Sequence, residues 1–258
     1  MKQFQSQIIS NKQISPHYHA AEITWPITEN PEAGQFITVK SSESTSPLLR
    51  RPFAVADFNK DHRLAKIIYE RRGQATKLLS GILPGENISV LGPLGNRFPF
   101  PKDRKNLFLA AGGIGIGPIL NLYWRLLENG YTPNLVLGFP EAGSVPKEIL
   151  PMENPTTLIC TDDGTMGFHG HPVKYIKTLD KKILQHTVLY ACGPKPMLVG
   201  CNNLAEKYNM ECWVAMEQVM ACGVGACMGC AIRVNGDKQY ARVCTDGPVF
   251  RSRDIVWT

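Results

Sequence analysis

The first hundred residues alternate short β-rich runs with polar, turn-forming segments. The runs lie at 21–25, 35–40, 53–56, 64–69 and 87–91. Short strands at this spacing, punctuated by proline and glycine, are typical of an antiparallel barrel. A helix predicted over 75–80 interrupts the series, and Pro84-Gly85-Glu86 predicts a turn into the last strand.

A second pattern begins near residue 99. Continuous apolar runs at 107–111, 135–139, 157–160 and 187–192 alternate with helical patterns at 119–128, 172–179 and 196–208. Apolar strands without polar alternation, separated by helices, indicate a parallel sheet that is covered on both faces. This part of the chain is therefore predicted to be a Rossmann-like α/β domain of the nucleotide-binding type.

The third pattern, from about residue 213, contains short strands at 231–234 and 239–243 joined by Asn235-Gly236, a strong hairpin signal. The chain is therefore predicted to be a multi-domain protein of the β plus α/β class. The predicted domains are an antiparallel β-barrel at 1–98, the parallel α/β domain at 99–212 and a small C-terminal domain at 213–258.

Composition excludes several classes of protein. The chain has 258 residues, 43% of them hydrophobic, and a formal charge of +6 that is spread along its length. Its basic clusters, Arg50-Arg51, Arg71-Arg72 and 102–105, lack the interleaved aromatic residues expected of a nucleic-acid-binding face. No apolar run approaches the roughly 20 residues that span a bilayer. Residues 1–10 are polar and contain no signal peptide, so we expect a cytoplasmic protein.

Four cysteines carry the strongest chemical signal in the chain. Three have the spacing C-x4-C-x2-C and the last follows after thirteen intervening residues: Cys222, Cys227, Cys230 and Cys244. This triplet has the spacing of plant-type ferredoxins and predicts a [2Fe-2S] cluster. Glycines within the loop let backbone N–H groups approach the sulfur atoms closely.

Zinc is the alternative for the same four thiols. A Cys-x2-Cys pair can also hold that metal, and the chain would then be a zinc-stapled interaction module without turnover. Structural zinc sites usually arrange their ligands as two separated pairs, whereas three of these thiols share one glycine-rich loop. The spacing therefore favours the iron–sulfur cluster.

Two glycine-rich turns follow predicted strands of the α/β domain. One runs from Gly112 to Gly117 and opens a helix, and the other is Ala191-Cys192-Gly193-Pro194. Such turns bring backbone N–H groups close to a pyrophosphate, although glycine can equally relieve tight packing between helix and strand. Both lie at carboxyl ends of strands and are predicted to converge on one crevice. The candidate nucleotide-binding residues are Gly112, Gly113, Gly115, Cys192 and Gly193.

The barrel contributes two further candidate segments. Arg51-Pro52-Phe53-Ala54 places a guanidinium beside an aromatic ring, a pairing that suits the phosphate and ring of a flavin nucleotide. The stretch from Ile68 to Thr76 ends at a predicted helix start, where N–H groups could hold the flavin diphosphate.

Taken in order, these motifs resemble those of the electron transfer subunit of NAD-dependent dihydroorotate dehydrogenase, in the ferredoxin-reductase superfamily. The resemblance covers nearly the whole chain, and it is most specific over the cysteine loop and 243–250. The segments that carry it are 51–54, 112–118, 161–164, 191–194, 220–230 and 243–250.

The resemblance implies FAD on the barrel, NAD(H) on the middle domain and the [2Fe-2S] cluster on the third. The implied FAD contacts are Arg51, Pro52, Phe53, Ala54, Ile68, Tyr69, Glu70, Ala75 and Thr76. Three positions depart from the family, which usually has a hydroxyl residue at 54, an arginine near 70 and a glycine at 75. Arg71 or Arg72 is the candidate for the missing positive charge.

The implied function is electron transfer in pyrimidine biosynthesis. NADH delivers two electrons as hydride and a [2Fe-2S] centre accepts one, so FAD is needed between them. No residue for dihydroorotate oxidation is legible, so the resemblance implies a partner subunit with FMN, in a heterotetramer of two copies of each chain. The alternative is a diaphorase subunit of a hydrogenase or of a ferredoxin-dependent transhydrogenase, built from the same modules.

Overall fold

Six antiparallel strands close into a barrel in the first part of the computed structural model, which describes residues 1–42, 44–102 and 106–257. The strands are β1 Lys2–Gln13, β2 Tyr18–Thr24, β3 Phe36–Lys40, β4 Arg51–Asn59, β5 Leu64–Glu70 and β6 Asn87–Leu94. Their order around the barrel is β1-β2-β5-β4-β3-β6. Helix α1, Gln74–Ser80, follows β5. The barrel and its helix therefore match the predicted architecture.

Strand β1 is the barrel element that the hydrophobic pattern did not predict. Only Ser6 and Ile8 of its twelve residues are buried, and most of the others are polar. Nevertheless β1 pairs with both β2 and β6 and closes the barrel. Its backbone hydrogen bonds, which leave no mark in the sequence, hold it in place.

A seven-stranded sheet forms the second part of the molecule. The strands that follow the barrel are β7 Asn106–Gly112, β8 Asn134–Phe139, β9 Thr157–Thr161, β10 Phe168–His169, β11 Thr187–Cys192, β12 Glu211–Ala215, β13 Ala231–Arg233, β14 Tyr240–Arg242 and β15 Val249–Arg251. Seven of these strands make up the sheet, in the order β10-β9-β8-β7-β11-β12-β15. The helices are α2 Ile116–Glu128, α3 Pro172–Ile176, α4 Lys181–Gln185 and α5 Lys195–Tyr208. All pairs from β10 to β12 are parallel, and the predicted fold class is confirmed.

The C-terminal segment begins and ends on this sheet. Strand β15 pairs antiparallel with β12, opposing Trp213 to Arg251 and Ala215 to Val249. The boundary predicted between 212 and 213 thus falls inside β12, because the apolar run of that strand continues past it. The cysteine loop and the β13-β14 hairpin are thus inserted in the chain between β12 and β15, which are neighbouring strands of one sheet.

Helix α2 joins the barrel to the sheet. Its Asn121 donates a side-chain hydrogen bond of 2.8 Å to the carbonyl of Val55 in β4. The buried rings of Phe98 and Tyr190 meet edge to face with centroids 5.8 Å apart. The barrel and the sheet therefore share a packed interface. Across the ranges that the structure describes, no helix is both long and apolar enough to cross a membrane.

Asn96, just after the barrel, binds the C-terminal segment. Its amide nitrogen Nδ2 donates to the carbonyls of Asp246 at 3.1 Å and Val249 at 2.9 Å, and its Oδ1 accepts from the Val249 N–H at 2.9 Å. The Asn96 N–H donates to the Gly247 carbonyl at 2.7 Å. The neighbouring Gly95 has a φ of +73°, and a Cβ there would lie 2.5 Å from Cδ of Pro248. This Asn96 clasp ties the segment after Cys244 to the barrel.

Candidate cofactor cleft and cysteine loop

A cleft of about 390 Å³ lies where the barrel, the carboxyl ends of the parallel strands and the segment after β12 meet. Most of the predicted cofactor-binding residues line it. They are Arg51, Pro52, Phe53, Ala54, Ile68, Tyr69, Glu70, Ala75, Thr76, Gly115, Cys192 and Gly193. Residues that are far apart in the chain thus face one volume, as the predicted convergence of the two glycine-rich turns requires.

The barrel wall of the cleft is aromatic and fixed. The rings of Phe53 and Tyr69 pack edge to face with centroids 5.8 Å apart. The Tyr69 hydroxyl donates to Asn11 Oδ1 at 2.7 Å, and His19 stacks on the ring at 5.4 Å. Burial raises the pKa of Tyr69 to about 12, so the phenol stays neutral. A rigid, uncharged wall of this kind fits a planar ring system such as a flavin.

Two guanidinium groups line the same cleft. Arg51 donates from Nη1 to the Leu49 carbonyl at 2.6 Å. Arg72 pairs through Nε with Glu70 Oε2 at 2.8 Å, and this contact holds the pKa of Arg72 above its ordinary value. Arg71 is not among the lining residues. Of the two candidates for the missing positive charge, Arg72 is therefore the one that faces the cleft, and Glu70 orients it.

A threonine in the first turn of helix α1 fixes the turn that precedes the helix. Thr76 Oγ1 accepts hydrogen bonds from the N–H groups of Arg72 at 3.0 Å and Gly73 at 3.2 Å. Those two donors are thus already satisfied within the turn. Thr76 lines the cleft, but its hydroxyl ties the turn that carries Arg72.

The two glycine-rich turns touch each other through their backbones. A Cβ at Gly115 would lie 2.2 Å from the Cys192 carbonyl oxygen and 2.8 Å from the Gly193 nitrogen. A Cβ at Gly193 would lie 2.9 Å from the Gly112 nitrogen. These glycines therefore permit close packing of the two turns, which is the alternative to ligand contact that the sequence left open. Gly115 and Gly193 also line the cleft.

Gly112 and Gly113 lie behind the cleft wall and do not line it. A Cβ at Gly112 would lie 2.9 Å from Sδ of Met197 and 3.0 Å from Cδ of Pro194. Gly113 has a φ of +55°, and its Cβ position faces the Tyr18 hydroxyl at 3.5 Å. Both glycines permit the turn to fold against its neighbours. The sequence could not separate this role from ligand contact.

One side of the cleft was missed in the sequence. The residues that follow β12 line it, together with one residue before β15: Met216, Glu217, Gln218, Met220 and Pro248. They too lie beside the carboxyl end of a parallel strand, which is where ligands of α/β sheets bind. Their position after a parallel strand could have identified these residues, but only if β12 had been predicted as a strand of the sheet.

The four cysteines of the C-terminal loop are arranged as two pairs. Sγ of Cys230 and Cys244 are 3.2 Å apart, and the side chain of Cys222 interacts with that of Cys227. Within the described residues, no three histidine, cysteine, aspartate or glutamate side chains converge on the position of a single metal ion. A [2Fe-2S] cluster bound by four cysteines uses two thiolates on each iron, and two pairs of thiols fit that donor set.

The loop directs backbone N–H groups at these sulfurs. Val224 N lies 3.5 Å from Cys222 Sγ, and Gly229 N lies 3.4 Å from Cys227 Sγ. Backbone donors, Val224 first among them, lower the pKa of Cys222 to about 6. Gly223 and Gly225 have φ values of +70° and +82° that let the loop curl around the sulfurs. The loop therefore favours the thiolate of Cys222, the form that iron binds, whereas burial and the neighbouring Cys230 raise the pKa of Cys244 to about 11.

The C-terminal segment matches a known family over residues 217–256, which include all four cysteines. The matching profile is described as the iron–sulfur cluster binding domain of dihydroorotate dehydrogenase B. A protein of Geobacillus sp. (strain WCH70), named dihydroorotate dehydrogenase B (NAD(+)), electron transfer subunit, is 37% identical over 260 residues, covering 99% of each chain. The chain belongs to this family. A Streptococcus mutans subunit of the same name is 34% identical and covers 96% of each chain.

Solved structures agree with membership of the dihydroorotate dehydrogenase B electron transfer subunit family. A chain of the NADH-dependent reduced ferredoxin-NADP oxidoreductase superimposes with a TM-score of 0.83 at 26% identity, covering 98% of this chain and 90% of its own. Phthalate dioxygenase reductase shares the fold, with a TM-score of 0.64 at 20% identity, covering 91% and 87%. The predicted resemblance and the electron transfer role are confirmed, and the iron–sulfur interpretation of the cysteines is favoured over zinc.

Proposed function

We propose that this chain carries electrons between NAD(H) and the catalytic subunit of a dihydroorotate dehydrogenase, through FAD in the cleft and a [2Fe-2S] cluster on the cysteine loop. One observation carries the proposal: the cleft and the loop are continuous. Met220, which lines the cleft, precedes Cys222 by two residues, and Pro248, which lines the same side, follows Cys244 by four. A group in the cleft and one on the loop are therefore neighbours.

The chemistry of the proposal is a conversion between paired and single electrons. When bound, FAD accepts hydride from NADH and the cluster accepts one electron at a time. The chain positions both groups. Phe53 and Tyr69 orient the flavin ring, Arg51 and Arg72 neutralise its diphosphate, and the four cysteines bind the cluster. The turns at Gly115 and Gly193 admit the nicotinamide nucleotide at the opposite wall.

A partner subunit completes the reaction. Oxidation of dihydroorotate to orotate needs a general base, a substrate pocket and a second flavin, and no residues for that chemistry are legible in the sequence. We propose an FMN-bearing catalytic subunit as the partner, with two copies of each chain in the complex.

The test of this function is spectroscopic and begins with the chain purified under anaerobic conditions. We expect flavin absorbance that NADH bleaches, and about two irons and two acid-labile sulfides per chain. Co-expression with an FMN protein should give a complex that reduces NAD⁺ with dihydroorotate. Colourless protein with one bound zinc would contradict the proposal.

The similarity to the ferredoxin-NADP oxidoreductase chain favours a second candidate, a subunit of a ferredoxin-dependent transhydrogenase or of a hydrogenase-linked diaphorase. The two functions differ in the partner and not in this chain's own chemistry. Capture of the partner from the native organism separates them. A partner with iron–sulfur or hydrogenase centres in place of FMN would establish the second.

Replacing Arg51 by alanine is expected to weaken FAD binding. The substitution removes a charge-assisted contact to a phosphate, worth about 1 to 3 kcal/mol, which raises the Kd roughly 5- to 150-fold. Flavin fluorescence in an ultrafiltration or dilution series measures the loss. Unchanged flavin content would show that the diphosphate lies elsewhere.

Arg72 and Arg71 form a matched pair for the second phosphate contact. Arg72 lines the cleft and Arg71 does not, so we expect Arg72→Ala to lower flavin retention several-fold and Arg71→Ala to leave it near that of the unaltered protein. Both variants lose one positive charge, so the comparison removes the effect of net charge. Equal loss in both variants would contradict a specific role of Arg72.

A further inference from the structure

Thr38 in β3 carries a buried hydroxyl without a partner. The residue is 2% exposed, and its Oγ1 finds no hydrogen-bond partner among the residues that the structure describes. Two other buried threonines satisfy theirs: Thr161 Oγ1 donates to the Met166 carbonyl and Thr187 Oγ1 to the Ile183 carbonyl, each at 2.8 Å. Burying a hydroxyl without a partner costs free energy, so such a group calls for an acceptor.

The position of Thr38 identifies where that acceptor lies. Side chains alternate along β3, and Ile37 and Val39 belong to the barrel core, so Thr38 points out of the barrel. There its Cγ2 lies 3.0 Å from the Cβ position of Gly223, a closer approach than ordinary van der Waals contact. Gly223 directly follows Cys222. Thr38 is thus a barrel residue against which the cysteine loop packs, together with Leu94.

We infer that the Thr38 hydroxyl donates a hydrogen bond to an inorganic sulfide of the iron–sulfur cluster, at the Cys222 side, and raises the reduction potential of that cluster. The inference rests on the proposed function, since it requires the cluster to be bound. Reduction adds negative charge, and a donor aimed at sulfur stabilises it. Backbone N–H groups of the loop supply such donors locally, and Thr38 supplies one from the barrel.

The flavin is a less suitable acceptor. Phe36 and Pro52, the neighbours of Thr38 along β3 and across to β4, line the cleft, but Thr38 does not. Thr38 therefore lies outside the lining of the cleft, with its methyl group against the cysteine loop. This places a side chain of the flavin domain in direct control of the other redox centre.

The test uses the isosteric substitution Thr38→Val, with Thr38→Ser as the variant that keeps the hydroxyl. Valine preserves shape and suits a strand, so we expect full iron, sulfide and flavin content. In Thr38→Val the midpoint potential of the cluster, from an EPR-monitored titration of the holoprotein, should become more negative and its g-values should shift. Thr38→Ser should remain close to the unaltered protein. Thr187→Val, the same change at a hydroxyl bonded elsewhere, should leave the potential unchanged.

Three results would overturn the inference. A cluster potential in Thr38→Val equal to that of the unaltered protein would show that the hydroxyl makes no contact with sulfur. Equal shifts in the valine and serine variants would assign the effect to packing. A shift of the flavin potential alone would assign the hydroxyl to FAD. If the unaltered protein held no EPR-active cluster, the proposed function itself would fail, which is distinguishable from all three.

Discussion

Replacing Cys227 by serine is expected to remove the iron–sulfur cluster while FAD stays bound and NADH still reduces it. Cys227 pairs with Cys222 at one end of the thiol quartet, and its loss leaves one iron with a single thiolate. A serine hydroxyl is a poor substitute, because iron–sulfur clusters select soft sulfur ligands. The substitution does not alter the residues that line the cleft, so FAD binding should be retained. Electron delivery to a one-electron acceptor or to the partner should therefore fall to background.

Three measurements test this prediction. Iron and acid-labile sulfide analysis and EPR after dithionite reduction report on the cluster, and bleaching of the flavin by NADH reports on FAD. Cys160→Ala is the matched control, because Cys160 is a buried thiol of β9 that is remote from the loop. Burial raises the pKa of Cys160 to about 12, so it stays protonated and makes no thiolate for iron. A Cys227→Ser protein with two irons and an unaltered EPR signal would refute the ligand assignment.

A methyl group at Gly115 is expected to destabilise the whole molecule. The added Cβ would meet the carbonyl of Cys192 and the nitrogen of Gly193, which are backbone atoms that cannot rotate away. We expect Gly115→Ala to lower stability by about 3 kcal/mol or more, which corresponds to a fall in Tm of roughly 6 to 12 °C for a chain of this size. The Kd for NADH should rise as well, since the turns line the cleft.

Gly117→Ala provides the contrast. Its Cβ would meet only the Ala56 Cβ, at 3.7 Å, which is ordinary contact. Gly117 lies in helix α2, where alanine is favoured over glycine by up to about 1 kcal/mol. Its Tm should thus stay the same or rise slightly. Thermal denaturation followed by circular dichroism compares the two, and equal Tm values would show that the two turns can separate at little cost.

Much of the fold could be predicted because local patterns and tertiary burial agree. The continuous apolar run at 187–192 coincides with β11, which is buried on both faces. The cysteine spacing predicted an iron–sulfur cluster without knowledge of the fold, since three of the four candidate ligands lie in one short loop. Where a local signal determines the contacts of a residue, the sequence suffices.

The remaining features depend on contacts between distant segments. Strand β1 is polar and is held by backbone pairing, and β15 is only three residues long. Because β12 was not recognised as a strand of the sheet, Met216 to Met220 were not placed at the cleft. Which of Arg71 and Arg72 faces the cleft likewise depends on the direction of each side chain. That direction is set by the turn that the Thr76 hydroxyl holds in place.

The Asn96 clasp has a consequence for how the partner is engaged. The stretch from Cys244 to Pro248 joins a proposed cluster ligand to the cleft wall, and Asn96 binds the carbonyls of Asp246 and Val249. The distance between the proposed FAD and cluster sites is consequently set within one subunit and does not depend on binding of the partner. The partner has only to accept or donate electrons at the cluster, so electron transfer from FAD to the cluster should be as fast in the isolated chain as in the complex.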